Sequence, residues 1–110
     1  MTGHVIICGL GRVGSLVAQA LQEYQVPFIA VDLDPRILNQ WRAQGHFTIL
    51  GSSGSVEGLT AARVHQAGIL VISTGDPVSA YVTAQHALQL RPDLDIVARV
   101  HWRDEGERFQ

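Results

Sequence analysis

The chain has 110 residues, 46% of them apolar, and its ten acidic and eight basic residues give a formal net charge of −2. This length accommodates one domain with one core over residues 1–110, and the apolar share excludes a disordered chain. The charge leaves no basic field for nucleic acid, and no apolar run approaches the roughly 20 residues that span a bilayer.

Cysteine and histidine usage indicates a reducing compartment and no metal site. The single cysteine, Cys8, lies in a predicted buried strand, so no disulfide forms within the chain. No secretory signal pattern opens the sequence, and the expectation is therefore a cytoplasmic location. The five histidines are scattered without H-x-x-H spacing, and C-x-x-C spacing is absent too.

The first element is a buried strand, about His4 to Cys8, followed by a turn with the spacing G-x-G-x-x-G. The first glycine of such a turn permits a sharp exit from the strand, the second lets a pyrophosphate approach, and the third lets the helix pack on the sheet. The helix N-terminus then faces an anion. We interpret the turn as a phosphate site and Arg12 as a phosphate partner or a solvated arginine; the site residues are Gly9, Leu10, Gly11, Arg12, Val13 and Gly14.

An acidic residue follows the second strand at the distance that the dinucleotide-binding fingerprint requires. Helix one is predicted from Arg12 to Tyr24, and strand two from Pro27 to about Val31, directly before Asp32. An aspartate there accepts both hydroxyls of an adenosine ribose and repels a 2′-phosphate, so NADP is disfavoured. The alternative is a residue that only shapes the strand end. The predicted inward residues of helix one are Val13, Leu16, Val17, Ala20, Leu21 and Tyr24.

The next elements carry further candidate ligand contacts. Asp34 is predicted to cap helix two, Pro35 to Ala43, whose inward residues are Ile37, Leu38 and Trp41. Leu33 and Arg36 flank that cap, and Arg36 either covers the adenosine or is a solvated residue. Strand three spans Phe47 to Leu50. The turn after it offers hydroxyl and N–H groups from Gly51, Ser52 and Ser53, and Ser55 caps a helix from Val56 to about Val64.

The C-terminal half repeats the same pattern. Strand four, Ile69 to Ile72, precedes Thr74, Gly75 and Asp76, which either contact a distal phosphate or second nucleoside or cap helix four. Helix four spans Pro77 to Leu90, and its predicted inward residues are Val78, Tyr81, Val82 and Leu88. Strand five spans Asp95 to Val100, and Arg99 ends it at the ligand edge. His86 and His101 are predicted to be structural or exposed, and residues 101–110 to begin another helix.

Strands that alternate with helices predict an α/β fold, a Rossmann-like doubly wound parallel sheet with strand order 3-2-1-4-5. Ligands bind such sheets outside the carboxyl ends of the strands, where the strand order reverses. Here that crevice lies between strands one and four, and four candidate loops converge on it.

Four stretches of the sequence together resemble the N-terminal RCK domain of Trk, Ktr and Kef-type potassium transport proteins, and most closely that of Kef-type potassium/proton antiporters. They are Gly9–Gly14, Val31–Pro35, Asp76–Pro77 and Pro92–Val100. The resemblance implies a dimeric cytoplasmic domain that binds NAD(H) or an adenine nucleotide such as AMP, ADP or ATP. It implies further that this domain gates a potassium transporter membrane domain in the same or another chain, at the inner face of the membrane.

The chain departs from the family pattern in two places. The family has an aspartate that reaches adenine where this chain has Ser52, and the family domain continues past strand five through another strand and a dimer-forming helix. We therefore expect a domain truncated after the fifth strand. Two alternatives stay open, a fragment of an NAD-dependent oxidoreductase and a dimerisation module that has lost nucleotide binding. The absence of lysine, a substrate domain and a placed acid/base group disfavours hydride transfer.

Overall fold

The structure, a computed structural model, describes residues 1–52 and 54–98. Five predicted features lie outside these residues: the turn residue Ser53, the strand-end residue Arg99, the end of strand five at Val100, His101 and the tail helix. Within the described ranges, no helix combines the length and the apolar character needed to cross a lipid bilayer.

Five parallel strands form the central sheet, in the order β3-β2-β1-β4-β5. The strands are β1 (Val5–Cys8), β2 (Phe28–Asp32), β3 (Phe47–Leu50), β4 (Ile69–Ile72) and β5 (Asp95–Ala98). The predicted fold class and strand order are therefore confirmed. β2 is one residue longer than predicted at its carboxyl end, because Asp32 pairs with Leu50 and its carbonyl accepts from the Gly51 N–H.

Four α-helices connect the strands: α1 (Arg12–Glu23), α2 (Pro35–Arg42), α3 (Val56–Ala61) and α4 (Pro77–Leu90). The prediction of a single helix from Val56 to Val64 is wrong at its C-terminal end. Arg63 has a left-handed backbone, with φ of 61°, which a continuing right-handed helix cannot contain. A short 3₁₀ turn, Val64–Gln66, then leads into β4.

The central strand β1 is buried on both faces, as its unbroken apolar sequence predicts. Alternate residues of β1 enter two separate core clusters, since neighbouring side chains in a strand point to opposite faces. Val5 and Ile7 join the cluster with Leu38 and Trp41 of α2, whereas Ile6 and Cys8 join the cluster of α3 and α4. The sheet is therefore covered by α1 and α2 on one face and by α3 and α4 on the other.

Helix packing differs from the prediction in α1 and α4. The fully buried residues of these helices are small: Gly14 and Ala18 in α1, and Ala80, Thr83 and Ala87 in α4. Of the predicted inward residues of α1, Val17 and Leu21 are half-buried and pack against the core, as predicted. α4 carries two apolar stripes, and close approach to the sheet selects the stripe with small side chains. The residues that were wrongly predicted to face inward are exposed, and they are Leu16, Ala20, Tyr24, Val78, Tyr81, Val82 and Leu88.

In α2, the predicted packing is confirmed. Leu38 and Trp41 are buried and Ile37 is half-buried. The Trp41 ring meets Phe28 of β2 edge-on, with ring centroids 6.0 Å apart. This contact holds α2 against the strand that ends at Asp32.

Candidate functional site

The crevice lies where β1 and β4 end side by side at the centre of the sheet. Cys8 of β1 pairs with Val31 of β2 on one side and with Ile72 of β4 on the other. The loop after β1 leads to α1 on one face, and the loop after β4 leads to α4 on the other face. The two loops diverge and leave the crevice between them, as in other doubly wound sheets.

The glycine turn leaves β1 at a sharp angle and starts α1 directly against the strand exit. Gly9 has a φ of 97°, a conformation that L side chains rarely adopt. A Cβ on Gly14 would lie 1.9 Å from the Gly9 carbonyl oxygen. A Cβ on Gly11 would meet no protein atom within 4 Å, so Gly11 leaves open space above the turn, whereas the other two glycines shape the turn itself.

The half-buried carboxylate of Asp32 connects β2 to the glycine turn. Its Oδ2 accepts a hydrogen bond from the Leu10 N–H at 2.7 Å, and its Oδ1 accepts one from the Asp34 N–H at 2.8 Å. A carboxylate has about four acceptor positions, so about two stay available for a ligand. Sequence reasoning placed Asp32 correctly at the crevice but did not foresee these backbone contacts.

Ser73, which the sequence analysis did not single out, holds the turn from the β4 side. Its buried hydroxyl lies 2.7 Å from the Gly9 carbonyl oxygen and 3.0 Å from the Cys8 carbonyl oxygen. Its Oγ would also lie 2.9 Å from a Cβ on either Gly9 or Gly14. Ser73 directly follows β4, the strand beside the glycine turn. This position in the sequence is the signal that could have identified Ser73.

The helix N-termini around the crevice differ in capping. Asp34 caps α2, Ser55 caps α3 and Asp76 caps α4, whereas no side chain caps α1 within the described residues. The Arg36 backbone N–H lowers the pKa of Asp34, and bonds from the Ser79 hydroxyl and the Val78 N–H lower that of Asp76. The first turn of α1 thus presents N–H groups and a positive dipole end to the crevice.

Two cavities open along the crevice and share Thr74. The glycine-turn cavity, about 430 Å³ in volume, is lined by Cys8, Gly9, Gly11, Arg12, Val13, Ser73, Thr74 and Gly75. The α4 groove, about 440 Å³, is lined by Asp32, Leu33, Gly51, Ser52, Gly54, Thr74, Val78, Ser79, Val82 and Thr83. The charges along the crevice are divided, because Arg12 lines the first cavity and Asp32 lines the second.

Of the predicted site residues, most line one of these two cavities, and five do not. The Leu10 side chain is buried in the core, and Gly14 lies behind the turn. Asp34 and Asp76 act as caps, and the exposed Arg36 pairs with Asp34, with its Nε 3.5 Å from Oδ1. Ser53 and Arg99 lie outside the described residues.

One side of α4 supplies lining residues that sequence reasoning missed. Val78 and Val82, which were predicted to face the core, line the α4 groove together with Ser79 and Thr83. These four positions recur at i and i+4, which is the spacing of one helix face. The signal was therefore in the sequence, but it was assigned to packing on the sheet.

A third depression, about 450 Å³, lies between α1 and α2, and its lining includes four glutamines and Glu23. It is lined by residues of the two helices and by Gln44, which directly follows the C-cap of α2, and by none of the strand-end loops, so volume alone does not select the candidate site. The described part of the chain also contains no group of three or more His, Cys, Asp or Glu side chains that could hold a metal ion.

Comparison with known proteins shows the family. The TrkA-N domain model matches residues 5–110. The "Putative K(+) efflux antiporter KefB" of Alkalimonas amylolytica is 40% identical over 103 residues, which cover 94% of this chain and 15% of that protein. This chain therefore corresponds to a small part of the length of that relative.

Solved structures agree with the family model. The crystal structure of the TrkA-N domain of inner membrane protein ybaL from Escherichia coli superposes with a TM-score of 0.90 at 27% identity, covering 96% of this chain and 78% of that chain. The Kef CTD of Shewanella denitrificans in its AMP-bound form has a TM-score of 0.73 at 29% identity, covering 86% and 56% respectively. The predicted resemblance is confirmed, and the chain belongs to the TrkA-N domain family, the N-terminal RCK domain of potassium transport proteins.

Proposed function

We propose that residues 1–110 form a regulatory domain that binds an adenine-containing nucleotide and gates a potassium channel or potassium/proton antiporter. The observation that carries this proposal is the 2.7 Å hydrogen bond between the Leu10 N–H and the Asp32 carboxylate. This bond joins the glycine turn, which is of the kind that binds phosphate, to Asp32, which is at the position that binds ribose in such folds. Both groups lie at one edge of the sheet. The AMP-bound Kef structure, 29% identical to this chain, supports the same ligand class.

The two cavities suggest the orientation of the ligand. Phosphate groups lie against the glycine turn, where the open space at Gly11, the N–H groups of α1 and the Arg12 guanidinium favour an anion. The ribose lies on Asp32, and the base lies in the α4 groove beside Gly51 and Ser52. Ser53 and Arg99 belong to this proposed site as sequence predictions.

Charge in the α4 groove discriminates between NAD(H) and NADP. Asp32 is the single charged side chain among the described residues that line this groove. A 2′-phosphate on the bound ribose would lie beside that carboxylate without a cation to neutralise it. NAD(H), AMP, ADP and ATP are therefore the proposed ligands, and NADP is disfavoured.

A regulatory role fits the cavity lining better than oxidoreductase chemistry does. The described residues that line the two cavities include neither histidine nor lysine, the usual groups for proton transfer beside a nicotinamide. The KefB relative is about seven times as long as the match, since the matched part covers 15% of it. We therefore propose a transporter membrane domain as partner, in the same or another chain, with this domain on its cytoplasmic side as a homodimer.

Calorimetric titration of the 110-residue chain with AMP, NAD and NADP tests the proposal. We expect AMP and NAD to bind and NADP to bind more weakly. Asp32→Ala should weaken AMP and NAD binding by about 1.5–3 kcal/mol, the range for hydrogen bonds to a charged group. It should also lower the unfolding free energy, because the Leu10 and Asp34 N–H groups lose their acceptor.

Asp95→Ala is the matched control, because it removes the same charge at the exposed start of β5, the opposite edge of the sheet. Its affinity for AMP should equal that of the unmodified chain. Equal affinities for AMP in the Asp32→Ala variant and the unmodified chain would remove Asp32 from the site. Absence of binding by every nucleotide would favour the dimerisation module instead.

A further inference from the structure

His86 of α4 contacts the loop that forms one wall of the α4 groove. The His86 Nδ1 lies 2.5 Å from the carbonyl oxygen of Gly54, a residue 32 positions earlier in the chain. The imidazole is half-buried, and Gly54 itself lines the groove. From the sequence, His86 is predicted to be structural or exposed, and the proposed ligand contacts do not use it.

Steric contact places Gly54 against the same face of α4. A Cβ on Gly54 would lie 2.6 Å from the Thr83 Oγ1. Thr83 and His86 are three residues apart and therefore neighbours on one helix face. Gly54 thus lies directly against α4, where an added Cβ would require the Thr83 hydroxyl to move, and the imidazole bond joins the loop to the helix at the same place.

The other end of this loop is held by the start of α3. The Ser52 carbonyl oxygen accepts from the Ser55 N–H at 3.2 Å and from the Ser55 hydroxyl at 2.9 Å. The Ser55 hydroxyl oxygen in turn accepts from the Gly58 N–H at 2.9 Å. These bonds are local, so they shape the loop but do not determine its distance from α4. Among the described residues, the His86 imidazole supplies a hydrogen bond that joins the loop to α4.

We propose that His86 is a positioning residue for nucleobase recognition, which holds the wall formed by Ser52 and Gly54 at the distance from α4 that a purine needs. This inference rests on the proposed nucleotide function. The groove lies between this wall on one side and Val78 and Val82 on the other. Loss of the imidazole bond widens the base-binding part of the site and leaves the glycine turn and Asp32 unchanged.

The geometry specifies which nitrogen carries the proton. A carbonyl oxygen only accepts hydrogen bonds, so Nδ1 must be the protonated ring nitrogen. An asparagine side chain carries its N–H₂ group on Cγ, as histidine carries Nδ1, whereas glutamine carries it one atom further out. Asparagine therefore preserves the contact with Gly54, and glutamine and leucine do not.

The test compares three variants, His86→Asn, His86→Gln and His86→Leu, by titration with AMP and by ligand-observed NMR with ribose 5-phosphate. We expect His86→Gln and His86→Leu to bind AMP about fivefold more weakly, as loss of one hydrogen bond implies. His86→Asn should bind AMP as the unmodified chain does. Ribose 5-phosphate, which lacks the base, should bind all four proteins equally.

Thermal stability separates positioning from a purely structural role. Glutamine and leucine are better helix formers than asparagine. Of the three variants, His86→Asn should therefore gain the least thermal stability from helix propensity, although it should have the highest affinity for AMP. The inference is overturned if all variants bind AMP equally, or if AMP and ribose 5-phosphate weaken together. If the unmodified chain binds neither ligand, the proposed function fails and the inference fails with it. AMP binding by the unmodified chain thus separates the two failures.

Discussion

The N-termini of α1 and α4 differ although they occupy equivalent places in the fold. Each helix follows a central strand, and the strand ends Cys8 and Ile72 pair directly in the sheet. α4 begins at Pro77 after Asp76, which accepts bonds from the Val78 N–H at 3.3 Å and from the Ser79 hydroxyl at 2.8 Å. α1 begins after Gly11 without a side-chain cap.

This difference assigns different tasks to the two helices. The first-turn N–H groups of α1 have no capping side chain, and this leaves them for an external anion. α4 provides acceptors for its own N-terminus, so it contributes to the crevice through the side of the helix. The residues that line the α4 groove from that side are Val78, Ser79, Val82 and Thr83. In the proposed complex, α1 offers its N-terminus to phosphate, and α4 offers one side of the helix to the rest of the ligand.

Gly14→Ala should disrupt the glycine turn at the N-terminus of α1, and it gives the largest expected loss of stability. Its Cβ would lie 1.9 Å from the Gly9 carbonyl oxygen, a backbone atom that cannot move without distorting the turn. We expect the unfolding free energy to fall by about 3 kcal/mol or more, the upper range for overpacking. Urea denaturation followed by circular dichroism measures it.

Gly11→Ala is the matched comparison, because its Cβ would meet no protein atom within 4 Å. Its unfolding free energy should fall by less than about 1 kcal/mol, the cost of a poorer N-cap. Its affinity for AMP should nevertheless fall, since the methyl group occupies the space through which phosphate approaches. Similar stabilities of the two variants would contradict the structure of the turn.

Asp76→Ala should remove the N-terminal cap of α4 and leave the N-terminus of α1 unchanged. The Val78 N–H and the Ser79 hydroxyl both lose their acceptor, so the midpoint of thermal unfolding should fall by about 5 °C. Asp76→Ser should restore most of this loss, because serine also caps helices. A large loss of AMP affinity in Asp76→Ser would show instead that Asp76 contacts the ligand.

The pH dependence of the same variants follows from the lowered pKa of Asp76. A carboxyl group whose pKa falls on folding stabilises the folded state above its ordinary value of 3.8 and loses that contribution as the pH drops through the lower value. The stability difference between the unmodified chain and Asp76→Ala should therefore be constant near pH 7 and shrink below pH 3.8. A difference that grows on acidification would contradict the capping role.

Ser52→Asp should strengthen binding of the base in the α4 groove and has the smallest expected effect. Ser52 is exposed and lines the α4 groove. A carboxylate accepts a stronger bond from the adenine amino group than a neutral hydroxyl does. AMP binding should tighten by about 1 kcal/mol, or several-fold, as measured by calorimetry.

IMP supplies the control for Ser52→Asp, because it carries an oxygen where AMP carries the amino group. The new carboxylate should repel IMP while it attracts AMP. Equal changes in the affinities for AMP and IMP would mean that this side chain does not face the base. The alternative, in which Ser52 only shapes the turn, would then be correct.

Local sequence patterns predicted the fold and the crevice that forms the candidate site, because they are set by short-range rules. Unbroken apolar runs identified the buried strands, and alternation with helices placed every strand end at one edge of a parallel sheet. The glycine turn and Asp32 therefore had to meet at that edge, whatever the details of packing. Asp34, Ser55 and Asp76 were recognised as caps because a capping side chain lies next to the helix that it serves.

The tertiary structure alone decided which apolar stripe of a helix faces the sheet. α4 carries one stripe of small residues, including Ala80 and Ala87, and one of larger residues, including Val78 and Val82. Periodicity identifies both stripes equally well. The choice depends on how closely the helix approaches the sheet, and that distance results from packing of the whole domain.

The contacts that refine the candidate site also depend on the assembled fold. The Asp32 bond to Leu10 spans 22 positions, the His86 bond to Gly54 spans 32, and the Ser73 bond to Gly9 spans 64. Each requires two strands or a loop and a helix to be already in place. Local sequence rules establish which residue types gather at the crevice, whereas the assembled fold establishes their hydrogen-bond partners, because hydrogen-bond geometry depends on three-dimensional distance and not on spacing along the chain.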